Sequence, residues 1–241
     1  MTRDLVFVGD VHLDRDDADL PAFLAFLDGL APSTRTLVLL GDLFNLWIGR
    51  IDLEQPHQRA VVEVLTSLRR RGVGVRYVEG NRDYRIADAY AGRAFDDVAV
   101  RGLTERIGDR SVFAIHGDLV NRSDRNYRLW RRLSRSAPAW AAFNVIPRGR
   151  RLAVAEQVEA RLRTTNREMK RAFPEAEVRA YAAPWFARGH DTVVLGHFHD
   201  EVDLTARPPS PPGRILVVPL WKSARRYLRV APDAGASFVD S

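Results

Sequence analysis

The chain has no cysteine, and only two lysines beside 35 arginines. Without cysteine there can be no disulfide, no thiolate-held zinc and no thiol nucleophile. Redox compartment stays open, because cytosolic proteins can lack cysteine too. No apolar run approaches the roughly 20 residues that a spanning helix needs. The opening Met1-Thr2-Arg3-Asp4 and its brief apolar run are too short and too quickly acidic for a secretory leader. A cytoplasmic location is therefore expected.

What remains is an ordinary globular composition, 46% apolar and 28% charged, in 241 residues. That length supports one well-buried α/β domain with an appended subdomain. The net charge of +6 is unevenly placed. Residues 119–190 carry 16 Lys and Arg against 6 Asp and Glu, and the rest of the chain carries 21 against 25. A basic segment of this kind meets phosphates (nucleic acid, anionic lipid or a phosphorylated substrate) or is a solvated arginine-rich surface.

Short apolar runs at 5–9, 36–40, 73–79, 111–115 and 192–195 read as strands, and helical spacing fills 20–30 and 58–71, the latter stopping at Gly72. The alternation predicts an α/β sheet with its chemistry in loops after strand ends. Between 121 and 190 the pattern becomes nearly continuous helix, broken by Pro138, Pro147, Pro174 and Pro184. This predicts a helical insertion of three or four helices between two strands. Two further strands are expected at 201–206 and 214–218, joined by a proline-rich loop, with a polar tail after Ala231.

Each early apolar run ends in a polar motif: Gly9-Asp10-Val11-His12, Gly41-Asp42-Leu43-Phe44-Asn45, Gly80-Asn81-Arg82-Asp83, His116-Gly117-Asp118 and Gly196-His197-Phe198-His199. Any one alone is weak, since Gly-Asp usually marks a turn and His-x-His is often a surface pair. Together they offer two Asp, one Asn and four of the six histidines. That set can ligate two metal ions that share a carboxylate. At a strand end the two-residue spacing of Asp10 and His12 would put both on one face. His57 and His190, near predicted helix ends, read as structural.

The ordered set resembles the calcineurin-like metallophosphoesterases, with their D-x-H, G-D-x-x-D/N, G-N-x-D/E, H and G-H-x-H motifs. The resemblance implies a four-layer α/β sandwich, two mixed sheets flanked by helices, as a single domain over 1–241 with residues 121–190 as a helical lid. It implies two divalent ions, Mn²⁺ foremost, one on Asp10, His12, Asp42 and His199 and the other on Asp42, Asn81, His116 and His197. Ligand type alone leaves Fe²⁺, Zn²⁺ and Mg²⁺ open.

Many members of that family carry His after the motif Asn, as a proton donor to an alcohol leaving group; here the position is Arg82. Arginine is a poor proton donor but a good holder of phosphate oxygens. A fixed cation suits a leaving group that is itself a phosphate. Gly-Asn-Arg-Asp, with Gly41-Asp42-Leu43-Phe44-x-x-Trp47-Ile48-Gly49, resembles the UDP-2,3-diacylglucosamine diphosphatases of lipid A biosynthesis. These release UMP and the acylated sugar 1-phosphate, lipid X. By that resemblance the metal ligands and Arg82 are catalytic. Asn81, Arg82, His197, Asp124 and Tyr127 touch substrate, as do Arg163, Asn166 and Lys170 of the lid. Phe198 departs from the Thr or Ser usual in the last motif. The stretch 140–147, bordered by Arg131, Arg132 and Arg135 and by Arg148, Arg150 and Arg151, reads as a surface for acyl chains and anionic headgroups, or as a cap helix packing on the main domain. The expected partners are an acylated sugar nucleotide and, transiently, the inner leaflet of the cytoplasmic membrane, with no nucleic acid and no obligate protein partner. The expected location is cytoplasmic and peripheral to that membrane.

Overall fold

Alternating apolar residues along the central strands feed two cores at once. In β1 (Asp4–Val8), Leu5 and Phe7 face one way and Val6 and Val8 the other; all four are buried. The same alternation runs through β2 (Thr34–Leu39). The structure, a computed structural model, describes residues 3–30, 33–166, 173–208 and 210–241, with 161–166 described by their backbone.

The remaining strands are β3 (Trp47–Ile48), β4 (Gly74–Val78), β5 (Asp83–Tyr84), β6 (Asp97–Ala99), β7 (Leu103–Ile107), β8 (Arg110–Ile115), β9 (Thr192–Leu195), β10 (Val202–Thr205), β11 (Arg214–Val217), β12 (Arg226–Ala231) and β13 (Gly235–Asp240). One sheet runs β13-β12-β1-β2-β4-β6, the other β10-β11-β9-β8-β7, and β3 pairs with β5 apart from both. The helices are α1 (Leu20–Asp28), α2 (Pro56–Arg70), α3 (Ala87–Tyr90), α4 (Arg125–Ser134), α5 (Ala137–Val145), α6 (Arg148–Asn166), α7 (Glu175–Phe186) and α8 (Trp221–Ala224).

Leu5, Phe7, Val38, Val112, Ala114, Val194 and Leu216 form the core between the two sheets. The opposite face of the first sheet packs on Phe23 and Leu27 of α1 and on Val61, Val62, Leu65 and Leu68 of α2. The opposite face of the second sheet packs on Val178, Ala182 and Phe186 of α7, spaced four apart so that they share one stripe. Helices, sheet, sheet and helix make the expected four-layer sandwich. Local signals agree: α2 opens with Pro56 and a Gln55–Gln58 capping box and closes before Gly72, which sits at φ 84°.

Residues after Ala231 are not the expected polar tail. They form β13, an edge strand paired antiparallel with β12 from Gly235 to Asp240. Its polar residues mislead because only one face needs apolar cover, and Phe238 provides it by packing on the inter-sheet core. Arg226 adds a cation–π contact, 5.9 Å from the Phe238 ring centroid.

Candidate metal centre

β1, β2 and β4 are mutually parallel, as are β8, β9 and β11. Their C-terminal ends carry all five motifs. Backbone pairing continues past the strand ends: the Asp10 amide donates to the Gly41 carbonyl at 3.1 Å, and the His12 amide to the Asp42 carbonyl at 3.0 Å. The two sheets are tied at the site by the His197 amide, which donates to Asp10 Oδ2 at 2.6 Å.

The two-residue spacing of Asp10 and His12 does not work through a strand pleat, as expected from sequence. Both lie beyond β1 in the left-handed region, at φ 51° and 54°. Asp42, His197 and His199 share it, at φ 52°, 71° and 67°. Each such non-glycine residue costs about 1 kcal/mol or more, a cost that recurs at functional sites. The left-handed turns aim the side chains inward. Gly41, at φ 81°, makes the approach possible, because a Cβ there would lie 2.5 Å from the Gly80 amide nitrogen.

Ligand atoms of Asp10, His12 and His199 lie within 4.8 Å of one another, and so do those of Asp10, Asp42 and His116. Asp10 is common to both groups. His12 Nε2 and His199 Nε2 face each other at 3.1 Å, and His199 Nε2 lies 3.4 Å from Asp10 Oδ1. His116 holds its Nδ1 proton on the Leu40 carbonyl at 2.6 Å and turns Nε2 toward Asn81 Oδ1 at 3.1 Å and His197 Nδ1 at 3.3 Å. Five of the seven expected ligands are thus joined by side-chain geometry to a further two, Asp42 and Asn81, from the neighbouring loops.

Electrostatics favour a cation here. Burial works against ionising Asp10, but the hydrogen bond from His199 and the charges of His116, His199 and His12 hold its pKa well below the usual range. Asp42 goes up, first through burial and against the pull of His116, with Asp10 adding repulsion. Burial depresses His12 far below its ordinary value and keeps the imidazole neutral. For His116 burial acts downward, but Asp42 and Asp10 outweigh it and raise the pKa. Asp10 Oδ1 faces both His199 Nε2 at 3.4 Å and His12 Nε2 at 3.7 Å. Converging carboxylates and ring nitrogens, with the His12 imidazole neutral, are what a divalent ion of oxygen and nitrogen preference satisfies.

Comparison with known proteins agrees with this geometry. The family model described as calcineurin-like phosphoesterase matches residues 4–201. The chain belongs to the calcineurin-like phosphoesterases. Among curated relatives, a UDP-2,3-diacylglucosamine hydrolase of Aromatoleum aromaticum is 33% identical over 80% of this chain and 79% of its own length. One of Stenotrophomonas maltophilia is 32% identical over 98% and 97%. Hypothetical protein PH1004 of Pyrococcus horikoshii superposes with a TM-score of 0.55 at 13% identity, covering 98% of this chain and 87% of that one, and shares the fold. As a calcineurin-like phosphoesterase with these Asp and His groups, the protein is a metal-dependent hydrolase that uses divalent metal.

In this phosphoesterase Arg82 reaches back to the centre. Its amide donates to Asp42 Oδ1 at 2.9 Å, its Nε lies 3.3 Å from Asp42 Oδ2 and its Nη1 donates to Asn45 Oδ1 at 3.1 Å. Asp83, the last residue of the third motif, staples the loops. Its Oδ2 accepts from the Asp42 amide at 3.0 Å, the Gly80 amide at 2.7 Å and the Tyr77 hydroxyl at 2.8 Å. Burial, then the charge of Asp42, pushes Asp83 up to about 6.

Of the expected substrate residues of the insertion, Asp124 and Tyr127 have described side chains. Asp124 caps α4, accepting from the Tyr127 amide at 2.9 Å, and the Tyr127 hydroxyl donates to Asp118. Arg163 and Asn166 lie on α6, where only the backbone is described, and Lys170 lies outside the described residues. Of the six arginines expected to face headgroups, three turn inward. Arg131 and Arg135 bond to loop carbonyls beside the metal centre. Arg151 donates to the Asn144 and Ile146 carbonyls. Arg132, Arg148 and Arg150 are exposed. Arginine count cannot tell a buried fork from a solvated one, so no sequence signal separated them.

Proposed function

We propose that this hydrolase cleaves the diphosphate of UDP-2,3-diacylglucosamine, giving UMP and 2,3-diacylglucosamine 1-phosphate. The observation that carries the reading is Arg82, a fixed cation bonded to Asp42 and Asn45 and only 17% exposed at its side chain. A phosphate leaving group needs charge stabilisation, not a proton, and a guanidinium supplies it by charge-assisted hydrogen bonds. The relatives' names support the same substrate.

Asp10, His12, Asp42 and His199 would hold one ion, and Asp42, Asn81, His116 and His197 the other, with Mn²⁺ suited to this mixed oxygen and nitrogen set. Divalent ions bound there supply Lewis acidity and lower the pKa of water toward neutrality. The chain's own part is to orient and to balance charge. The Leu40 carbonyl fixes the His116 tautomer, Asp83 locks the second and third motif loops together, and Arg82 and His197 meet the developing negative charge.

Two concave surfaces flank the loops. A cleft of about 210 Å³ is lined by Asp14, Asn45, Gln55 and, from α6, Glu156 and Glu159. A groove of about 690 Å³ lies between Ile51 and Asp52 on one side and Trp140 and Arg148 on the other. Its volume is in the range of ligand sites, and with Ile51 and Trp140 in its lining it is suited to an acyl chain. The helical segment over residues 121–190 acts as the lid, with Asp124, Tyr127, Arg163, Asn166 and Lys170 as its substrate contacts. Leu129, Leu133 and Val145, exposed at 56%, 52% and 83% among exposed Arg125, Arg128 and Arg132, form the face that touches anionic membrane from the cytoplasmic side. No helix of the described residues is long and apolar enough to cross a membrane.

The deciding assay supplies UDP-2,3-diacylglucosamine and Mn²⁺ to the purified protein and follows UMP. Release of UMP that a chelator stops is expected. UDP as the product, or no turnover beside good hydrolysis of a nucleic-acid phosphodiester, would refute the assignment.

A further inference from the structure

The first helix of the insertion is bolted to the metal loops by two arginines that the proposed chemistry does not use. Arg131 is 5% exposed. Its Nη1 lies 2.7 Å from Asp118 Oδ2 and donates to the Gly80 carbonyl at 3.0 Å. Its Nη2 donates to the carbonyls of Glu79 at 3.1 Å and Val100 at 3.2 Å. One turn later, Arg135 Nη2 donates to the Gly80 carbonyl at 2.9 Å and the Asp83 carbonyl at 2.7 Å, and its guanidinium stands 4.8 Å from the Tyr84 ring centroid. Arg135 caps the C-terminal end of α4, four residues after Arg131, and the two guanidiniums together grip both ends of Gly80-Asn81-Arg82-Asp83.

The loop is held from its other side as well. A Cβ on Gly80 would run into the Asp42 carboxylate, and the Arg82 amide donates to that carboxylate. Arg131 also reaches the fourth motif, because Asp118 follows His116 by two residues and takes both Arg131 and the Tyr127 hydroxyl. Peptide carbonyls in a tight loop lack strand partners, and a buried carbonyl left unpaired is costly. A planar guanidinium with five donors can satisfy several at once, which an ammonium cannot.

We propose that Arg131 and Arg135 are positioning residues: they set the Asn81–Arg82 loop and, through Asp118, His116, so that α4 and one half of the metal centre move as a single body. The proposal rests on the reading of Asn81 and His116 as metal ligands. Groups that orient ligands without touching metal typically change affinity or activity 10–100-fold when altered. A merely structural pair of arginines would change melting temperature and leave metal affinity alone.

The test compares Arg135→Gln, Arg135→Lys and Arg131→Lys with Arg132→Gln, whose side chain is exposed on the same helix. Each purified variant is titrated with Mn²⁺ by calorimetry and by electron paramagnetic resonance, then assayed for kcat and KM of UMP release. We expect Arg135→Gln and Arg131→Lys to bind one of the two Mn²⁺ ions about 10–100-fold less tightly. The other ion should stay within about threefold, with kcat falling and KM nearly constant; Arg132→Gln should match wild type. If Arg131→Lys does not fold, the two Arg135 variants decide alone. Wild-type Mn²⁺ affinities in folded Arg135 variants, or a loss confined to KM, would overturn the proposal. The metal titrations need no substrate. A wild-type protein that releases no UMP would therefore sink the functional reading and leave this test intact.

Discussion

Replacing Asp42 by asparagine asks whether the buried acids serve the metal or the fold. Asp42 is 2% exposed, with Arg82 Nε at 3.3 Å and His116 Nε2 at 3.9 Å. Its oxygen also lies within 4.8 Å of the Asp10 carboxylate. At an effective dielectric constant of about 20, the pull of Arg82 is worth about 5 kcal/mol and the Asp10 repulsion about 3 kcal/mol. Burying a carboxylate costs several kcal/mol more. Burial wins, which is why the Asp42 pKa is raised. A raised acid pKa means the folded state binds the proton more tightly, so metal-free stability falls as pH climbs above the ordinary value of 3.8. At pH 8 in chelator, Asp42→Asn should therefore melt at a higher temperature than the wild type. With Mn²⁺ at 100 times its dissociation constant, the wild type should gain about 2.7 kcal/mol and the variant little. Thermal unfolding followed by tryptophan fluorescence, with and without Mn²⁺, reads both effects. A variant that melts below wild type in chelator would refute the reasoning, and so would one that gains as much as wild type from Mn²⁺.

Arg82→Ala should lower kcat/KM about 100-fold at unchanged fold, since charge-assisted hydrogen bonds contribute about 1.5–3 kcal/mol each; steady-state kinetics with circular dichroism checks it, and a change under threefold would remove Arg82 from the site. Burial lowers the pKa of His57, whose ring packs edge-on against Phe44 at 5.4 Å. The unfolded chain thus takes up the proton first, and stability is lost as pH falls below 6.5. His57→Phe should flatten that acid limb by up to about 1.4 kcal/mol per pH unit, measured as melting temperature at pH 7.5 and 5.5; parallel profiles would contradict it.

Much of the site was legible because each motif directly follows an apolar run, and parallel strands bring such ends together. Asp42, Asn81 and His116 needed only that rule. What was hidden depends on tertiary context. β13 reads as a tail because an edge strand needs cover on one face, supplied here by Ala236 and Phe238. Glu105 of β7 breaks the apolar pattern on the buried face between Leu103 and Ile107, where Arg35 and Arg76 pair with it from other strands. The inward turn of Arg131 and Arg135 depends on carbonyls from residues 79–83, about fifty residues away. Nothing local in Arg-Arg-Leu-Ser-Arg distinguishes Arg131 from Arg132.

The left-handed backbone at Asp10, His12, Asp42, His197 and His199 also bears on how such a centre could be lost. Glycine is the residue whose backbone these five positions suit best, so at His12, His197 and His199 a step from ligand to glycine relieves backbone strain while deleting a metal donor. Decay of the activity would then run downhill in conformational energy. A lineage that stopped needing the hydrolase could keep the sandwich and shed the histidines with that strain released.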